Sequence, residues 1–182
     1  SIWIAGDGGV FDFAGTSWNA RGLPFATLVS ASPTPIAVTS RTSSEAEVHR
    51  WTGGAWEAIA RIDARITRLL ETSQGEILVM GDFGAYTGFV ARVEDGRFEF
   101  LDVGAPPPGW DSIQADGDAL VLLGGSQAVY RRSAAGARVD VYPSRPIDRV
   151  WSVGDEQWVV DRFVTIYRDH AGVLLPVAFW LF

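Results

Sequence analysis

The feature that most constrains this chain is a recurrence of short apolar runs: Ile2-Trp3-Ile4-Ala5-Gly6, Ile36-Ala37-Val38-Thr39-Ser40, Ile77-Leu78-Val79-Met80-Gly81, Leu120-Val121-Leu122-Leu123-Gly124 and Gln157-Trp158-Val159-Val160-Asp161. Their starts lie 34, 41, 43 and 37 residues apart, a period of about 39 that belongs to architectures built by repeating one supersecondary unit. Each run is too short for a helix and suits a strand. A second segment follows each run and ends in a turn signal: Val10 to Gly15, Val48 to Gly54, Phe89 to Gly96, Val129 to Gly136 and Thr165 to Gly172. Glycine or Asp-Gly at such an end supplies the positive φ that a tight reversal needs. Third strands are predicted at Trp18 to Arg21, Trp56 to Ala60, Phe98 to Val103, Val139 to Tyr142 and Val173 to Val177. A fourth element leads into the next repeat at Phe25 to Ser32, Ile66 to Thr72, Trp110 to Ala115 and Ile147 to Val153. The unit is a four-stranded antiparallel meander. Glu57 to Glu71 also reads as an amphipathic helix, but the repeat register assigns it to strands.

Five such units give an all-β chain, residues 1–182 as one domain, with about 36 residues per repeat. The first repeat starts at its second strand, and the chain ends on the apolar stub Ala178-Phe179-Trp180-Leu181-Phe182. The expectation is therefore a five-bladed β-propeller whose C-terminal strand completes the N-terminal blade, closing a ring and removing the open sheet edge. An open or sandwiched sheet is the competing architecture, since strand density alone does not separate the two.

The segment Ile2 to Phe11 running on to Gly15-Thr16-Ser17-Trp18 resembles short propeller repeats written W-x-x-G-x-x-G-x-(apolar) followed by a glycine turn and tryptophan. Such repeats occur in the photosystem II assembly and stability factor family and in bacterial proteins with sialidase-type or kelch-like repeats. Val150 to Asp155, with Trp158-Val159-Val160 and Thr165 to Arg168, looks like a second, degraded copy. The second repeat departs by an insertion, Ser40 to Glu47, in place of the glycine turn, and the fourth lacks tryptophan. The resemblance implies a fold and a preference for binding; it transfers no catalytic residue. The terminal Phe-Trp-Leu-Phe is also loosely similar to the tachylectin type of sugar-binding propeller.

Composition narrows the functions. All 15 basic residues are arginine against 22 acidic ones, a net charge of −7, which repels nucleic acid and anionic membrane surfaces on average. Cysteine is absent, excluding disulfides and thiolate chemistry. No stretch approaches the roughly 20 apolar residues of a membrane-spanning helix. There is no initiating methionine, so the chain is read as processed or cut from a longer one, which leans toward an extracytoplasmic setting.

Candidate site residues follow from the meander. The connections between second and third strands share a face with those between blades, and there the second strands end in Asp7, Arg41, Asp82, Ser126 and Asp161. Three carboxylates around an axis are a glycosidase arrangement. The plainer reading makes Asp7 and Asp82 turn residues that accept backbone amides. The same face should carry the proline-stiffened loops Gly104 to Trp110 and Tyr142 to Pro146, which would present Trp110, Tyr142 and Arg145 as interface anchors. Asp116-Gly117-Asp118, Gly154-Asp155-Glu156 and Glu94-Asp95-Gly96 lack the spaced oxygens of a calcium loop and read as solvated turns. His49 and His170 have neither zinc-ligand nor triad spacing, and no Gly-x-Ser-x-Gly is present. Trp3, Trp18, Trp56, Trp151 and Trp158 fall on the repeat pattern and are expected in the core; Trp110 is the exposed candidate.

The sequence thus predicts a non-catalytic propeller without cofactor or metal, an accessory or scaffold subunit docking on another protein with basic groups. The alternative is carbohydrate recognition, as a lectin or a five-bladed glycosidase.

Overall fold

The computed structural model describes all residues except 1, 7, 31–33, 73, 85–86, 104–109, 117–118, 125–127, 134–135, 142–146, 154–155, 162–164, 171–172 and 179–182. Nineteen strands are found among the described residues, arranged as five antiparallel meanders. Two compact units divide the chain, Ser1–Asp102 and Val103–Phe182.

The first unit holds three sheets. β1 (Ile2–Gly6), β2 (Gly9–Phe13) and β3 (Trp18–Ala20) form a three-stranded sheet. β4 (Ala26–Ser30), β5 (Ile36–Thr42), β6 (Glu45–Trp51) and β7 (Trp56–Ile62) form the second, and β8 (Arg65–Glu71), β9 (Ile77–Asp82), β10 (Gly88–Glu94) and β11 (Arg97–Phe100) the third. The segment with helical periodicity is thus two strands, β7 and β8. The second unit holds β12 (Trp110–Asp116), β13 (Ala119–Gly124), β14 (Ala128–Ser133) and β15 (Gly136–Val141), then β16 (Ile147–Val153), β17 (Glu156–Asp161), β18 (Ile166–His170) and β19 (Val173–Ala178). Five sheets match the five repeats. The first sheet has three strands, as a repeat opening at its second strand requires; the segment expected to complete it, 178–182, lies outside the described residues except Ala178.

Three of the apolar runs, in β5, β9 and β13, are buried on both faces, which removes the alternation of a half-exposed strand; β1 alternates exposed and half-buried residues, and β17 is only partly buried. In β9, Ile77, Leu78, Val79 and Met80 are all buried. Val38, Val48, Ile66, Val79 and Phe89 join one cluster spanning the second and third sheets. Val10, Ala26 and Ala37 form another, flanked by Trp3 and Trp56. In the second unit Val121, Val129, Val150, Val159 and Tyr167 pack together. The Asp-Gly signal behaves as its chemistry demands: Asp95 (φ 48°) and Gly96 (φ 77°) turn between the paired residues Glu94 and Arg97.

Two expectations are corrected. Ser40 to Glu47 is no insertion: β5 runs to Thr42, β6 starts at Glu45, and the hairpin reverses without glycine. Trp18 is not core but 49% exposed, lying on Phe13 with ring centroids 5.2 Å apart. Trp51, which falls off the repeat pattern, instead joins Trp3 and Trp56 in an aromatic trio at 5.3 to 6.2 Å. Arg21 lies over Trp51, forks onto Asp12 (2.6 and 3.1 Å), and accepts the Trp56 indole N–H on its carbonyl at 2.9 Å. The first two sheets are stapled there by charge, ring and backbone together.

One irregularity recurs. The first strand of every four-stranded sheet carries a one-residue register shift, leaving Thr27, Thr67, Asp111 and Asp148 as the extra residues. Such bulges bend a strand and re-aim its side chains. Thr27 and Thr67 each donate their hydroxyl to the partner strand, to the carbonyls of Val38 and Met80. Asp148 cannot make the same bond, since an aspartate carboxylate accepts but does not donate, and it is exposed.

Candidate functional site

In the first unit, antiparallel order places the ends of β5, β7, β9 and β11 on one side of their sheets. Arg41 sits at the end of β5, is exposed, and lines a small cleft of about 40 Å³ with Thr39, Glu45, Ala46, Glu47 and Arg61. Arg61 pairs with Glu45 and lies 3.7 Å from Glu47. Asp82 ends β9, where its Oδ2 accepts both Nε and Nη2 of Arg65 (2.9 and 2.8 Å) and its Oδ1 accepts the Gly84 amide at 3.2 Å. The turn-acceptor role read from sequence is therefore present at Asp82. Asp161, in the second unit, is held the same way: it accepts the Thr165 amide at 2.9 Å and the Tyr167 hydroxyl at 3.0 Å while only 1% exposed. Both carboxylates are engaged within their own sheets. Asp7, Tyr142 and Arg145 lie outside the described residues, as does the side chain of Trp110.

The residues the sequence reading missed at this end are aromatic. Phe83 follows Asp82 in the β9–β10 connection and Phe100 closes β11; each is 53% exposed. With buried Phe89 they form a trio whose centroids lie 4.8, 5.7 and 5.5 Å apart. A phenylalanine placed directly after a strand-ending Gly-Asp was the available signal, because turns rarely hold a large apolar residue without a use for it.

Beneath the Arg41 cleft, His49 is buried with its Nε2 3.0 Å from Thr39 Oγ1 and 3.6 Å from Glu47 Oε2. Both contacts fall on one ring nitrogen, whereas a hydroxyl–imidazole–carboxylate relay needs the acid on the other. Burial pushes the His49 imidazole below its usual range, Glu47 acts against this and Arg41 with it. A depressed folded value means stability that is complete above the unfolded value, about pH 6.5, and is lost as pH falls through it toward the folded one. Unfolding free energies from urea titrations should therefore decline below about pH 6.5, with a slope under the single-proton ceiling of about 1.4 kcal/mol per pH unit. His49→Gln should flatten that decline; an unchanged slope would assign it to other groups.

Five repeated antiparallel meander sheets, three of whose second strands are buried on both faces and four of which open on a bulged first strand, define a β-propeller repeat protein. Among solved structures the chain is similar to YCF48 bound to D1 peptide, with a TM-score of 0.58 and 15% identity over 86% of this chain and 57% of that one. It spans little more than half the length of that chain, and at this identity the likeness is one of fold. No family model and no curated protein matches the sequence. No helix among the described residues is long and apolar enough to cross a membrane.

Proposed function

We propose that this chain is a non-catalytic protein-binding propeller, an accessory or scaffold subunit that docks on a partner through the end of its sheets where β5, β9 and β11 finish. The observation that carries this reading is the Phe83–Phe89–Phe100 trio, two of whose rings are half exposed beside charged groups. Rigid aromatic anchors within a polar rim are the usual source of binding energy at protein interfaces. The net charge of −7 favours basic groups on the partner, although at this end Glu45, Glu47 and Asp82 are matched by Arg61 and Arg65. The similar structure, YCF48, is bound to a peptide, which supports a protein ligand here too.

The test is a side-by-side affinity capture from native extract with the wild type and a Phe83→Ser/Phe100→Ser variant, followed by measurement of Kd with the identified partner. Truncating two hot-spot rings should weaken binding at least about 30-fold while the unfolding midpoint stays near that of the wild type. A partner held equally well by the folded variant would remove this face from the interface.

A further inference from the structure

The second unit contains a feature that the docking face does not use. Between β12 and β16 lies an open cleft of about 640 Å³, lined by Ser112, Gln114 and Ala115 on one strand and Arg149, Val150 and Trp151 on the other. Its walls are held at a fixed spacing by a single side chain. The Gln114 carboxamide donates from Nε2 to the Asp148 carbonyl (3.3 Å) and accepts the Val150 amide on Oε1 (3.4 Å). It bonds to β16 as a neighbouring peptide group would, so the two first strands stand a side chain apart and leave a groove.

The bulge in β16 decides what faces solvent there. With Asp148 as the extra residue, both Asp148 and Arg149 are exposed, although consecutive strand residues ordinarily point to opposite faces. Trp151 is stiffened from behind by Trp158, its cross-strand partner, with centroids 6.4 Å apart and planes 15° from parallel. Arg149 makes no ion pair or hydrogen bond with the described residues. Arg21, Arg61, Arg65, Arg92 and Arg168 each hold a carboxylate, whereas Arg41, Arg50, Arg68 and Arg97 are like Arg149 in having no ion pair among the described residues. What distinguishes Arg149 is its place: it lines the cleft together with Trp151, where an exposed guanidinium is open to an anion from outside.

We propose that this cleft binds a small monoanion built on a flat ring, an aromatic or heteroaromatic carboxylate. Arg149 forks the carboxylate, as guanidinium geometry favours. Trp151 offers the ring a rigid face, and the Ser112 hydroxyl supplies a further donor.

Isothermal titration with benzoate, nicotinate and indole-3-acetate, each against its neutral amide, tests the assignment. At least one carboxylate should bind saturably at millimolar concentration or below, with its amide about tenfold weaker or more. Arg149→Gln should weaken the carboxylate by about tenfold or more, to the level of the amide. Arg68→Gln, the residue after the bulge in β8, should leave binding unchanged. Arg149 is exposed and unpaired, so its variant keeps the fold, and a matching unfolding midpoint verifies this. No saturable binding by any of the three acids, equal binding of acid and amide, or undiminished binding by Arg149→Gln would overturn the proposal. Tighter binding of an acidic peptide than of all three acids, lost in Arg149→Gln, would overturn the small-ligand assignment in favour of a peptide.

Discussion

Replacing Gly81 by alanine is expected to cost about 3 kcal/mol and, for a chain of this size, to lower Tm by about 6–12 °C. Gly81 pairs with Ile66 on one side and Phe89 on the other, so it sits in the middle of its sheet. A Cβ there would lie 2.1 Å from the Arg65 carbonyl oxygen and 2.7 Å from Cζ of Phe89. The ring has little room to withdraw, since Phe83 and Phe100 pack on it at 4.8 and 5.5 Å. The carbonyl belongs to backbone beside the Thr67 bulge and cannot move without breaking the pairing of β8 with β9. Gly81→Ala combined with Phe89→Leu should accordingly fail to recover the loss, because the second change relieves only the ring. Gly6 is the control: it holds the corresponding place in β1, where a Cβ would meet nothing within 4 Å, and Gly6→Ala should stay within about 0.5 kcal/mol. Urea unfolding of the four proteins decides the matter. A Gly81→Ala midpoint matching that of Gly6→Ala would mean that the first strand does not press on the second as described.

The same contrast shows why the sheets were legible and the site was not. Five apolar runs at a near-constant period mark five strands, three of them buried on both faces, and turn chemistry such as Asp95-Gly96 punctuates them; every predicted fourth element proved to be the first strand of the following sheet. The bulges left no trace in sequence. Thr27, Thr67, Asp111 and Asp148 are alike in size but differ in charge and hydrogen-bonding capacity, and a one-residue shift exists only relative to a partner strand. The Thr42–Glu45 hairpin reversed without the glycine that would have announced it, so a strand pair was read as an insertion. Strand-end residues were placed correctly at Arg41, Asp82 and Asp161, because position in a meander follows from register. Which side chains remain available does not. Asp82 is taken up by Arg65 and Gly84, whereas Phe83, Phe100 and Arg149 are left facing solvent. That distinction depends on contacts between strands 16 or more residues apart in the chain.

Asp161→Ala is expected to destabilise the second unit by about 3 kcal/mol, a larger loss than an exposed strand-end carboxylate would produce. The carboxylate is 1% exposed, and alanine would leave the Tyr167 hydroxyl and the Thr165 amide, both buried, without the acceptors they now have at 3.0 and 2.9 Å. Hydrogen bonds to a charged acceptor contribute about 1.5–3 kcal/mol each, and orphaned buried donors carry their own desolvation cost. Asp161→Asn retains one carbonyl oxygen and should lose about half as much. Tyr167→Phe removes one of these described donors, so the Asp161→Ala/Tyr167→Phe double variant should be less destabilised than the sum of the single ones, by about 1 kcal/mol. This cycle bears on function as well as stability. A carboxylate reserved for hydrolytic chemistry is commonly held at some expense to the fold, and its removal would leave stability unchanged or improved. A structural acceptor behaves oppositely. Stability retained in Asp161→Ala, together with additivity in the cycle, would release this carboxylate from its structural role and return the glycoside-hydrolase reading to consideration; the expected loss and coupling assign Asp161 to holding the turn between β17 and β18.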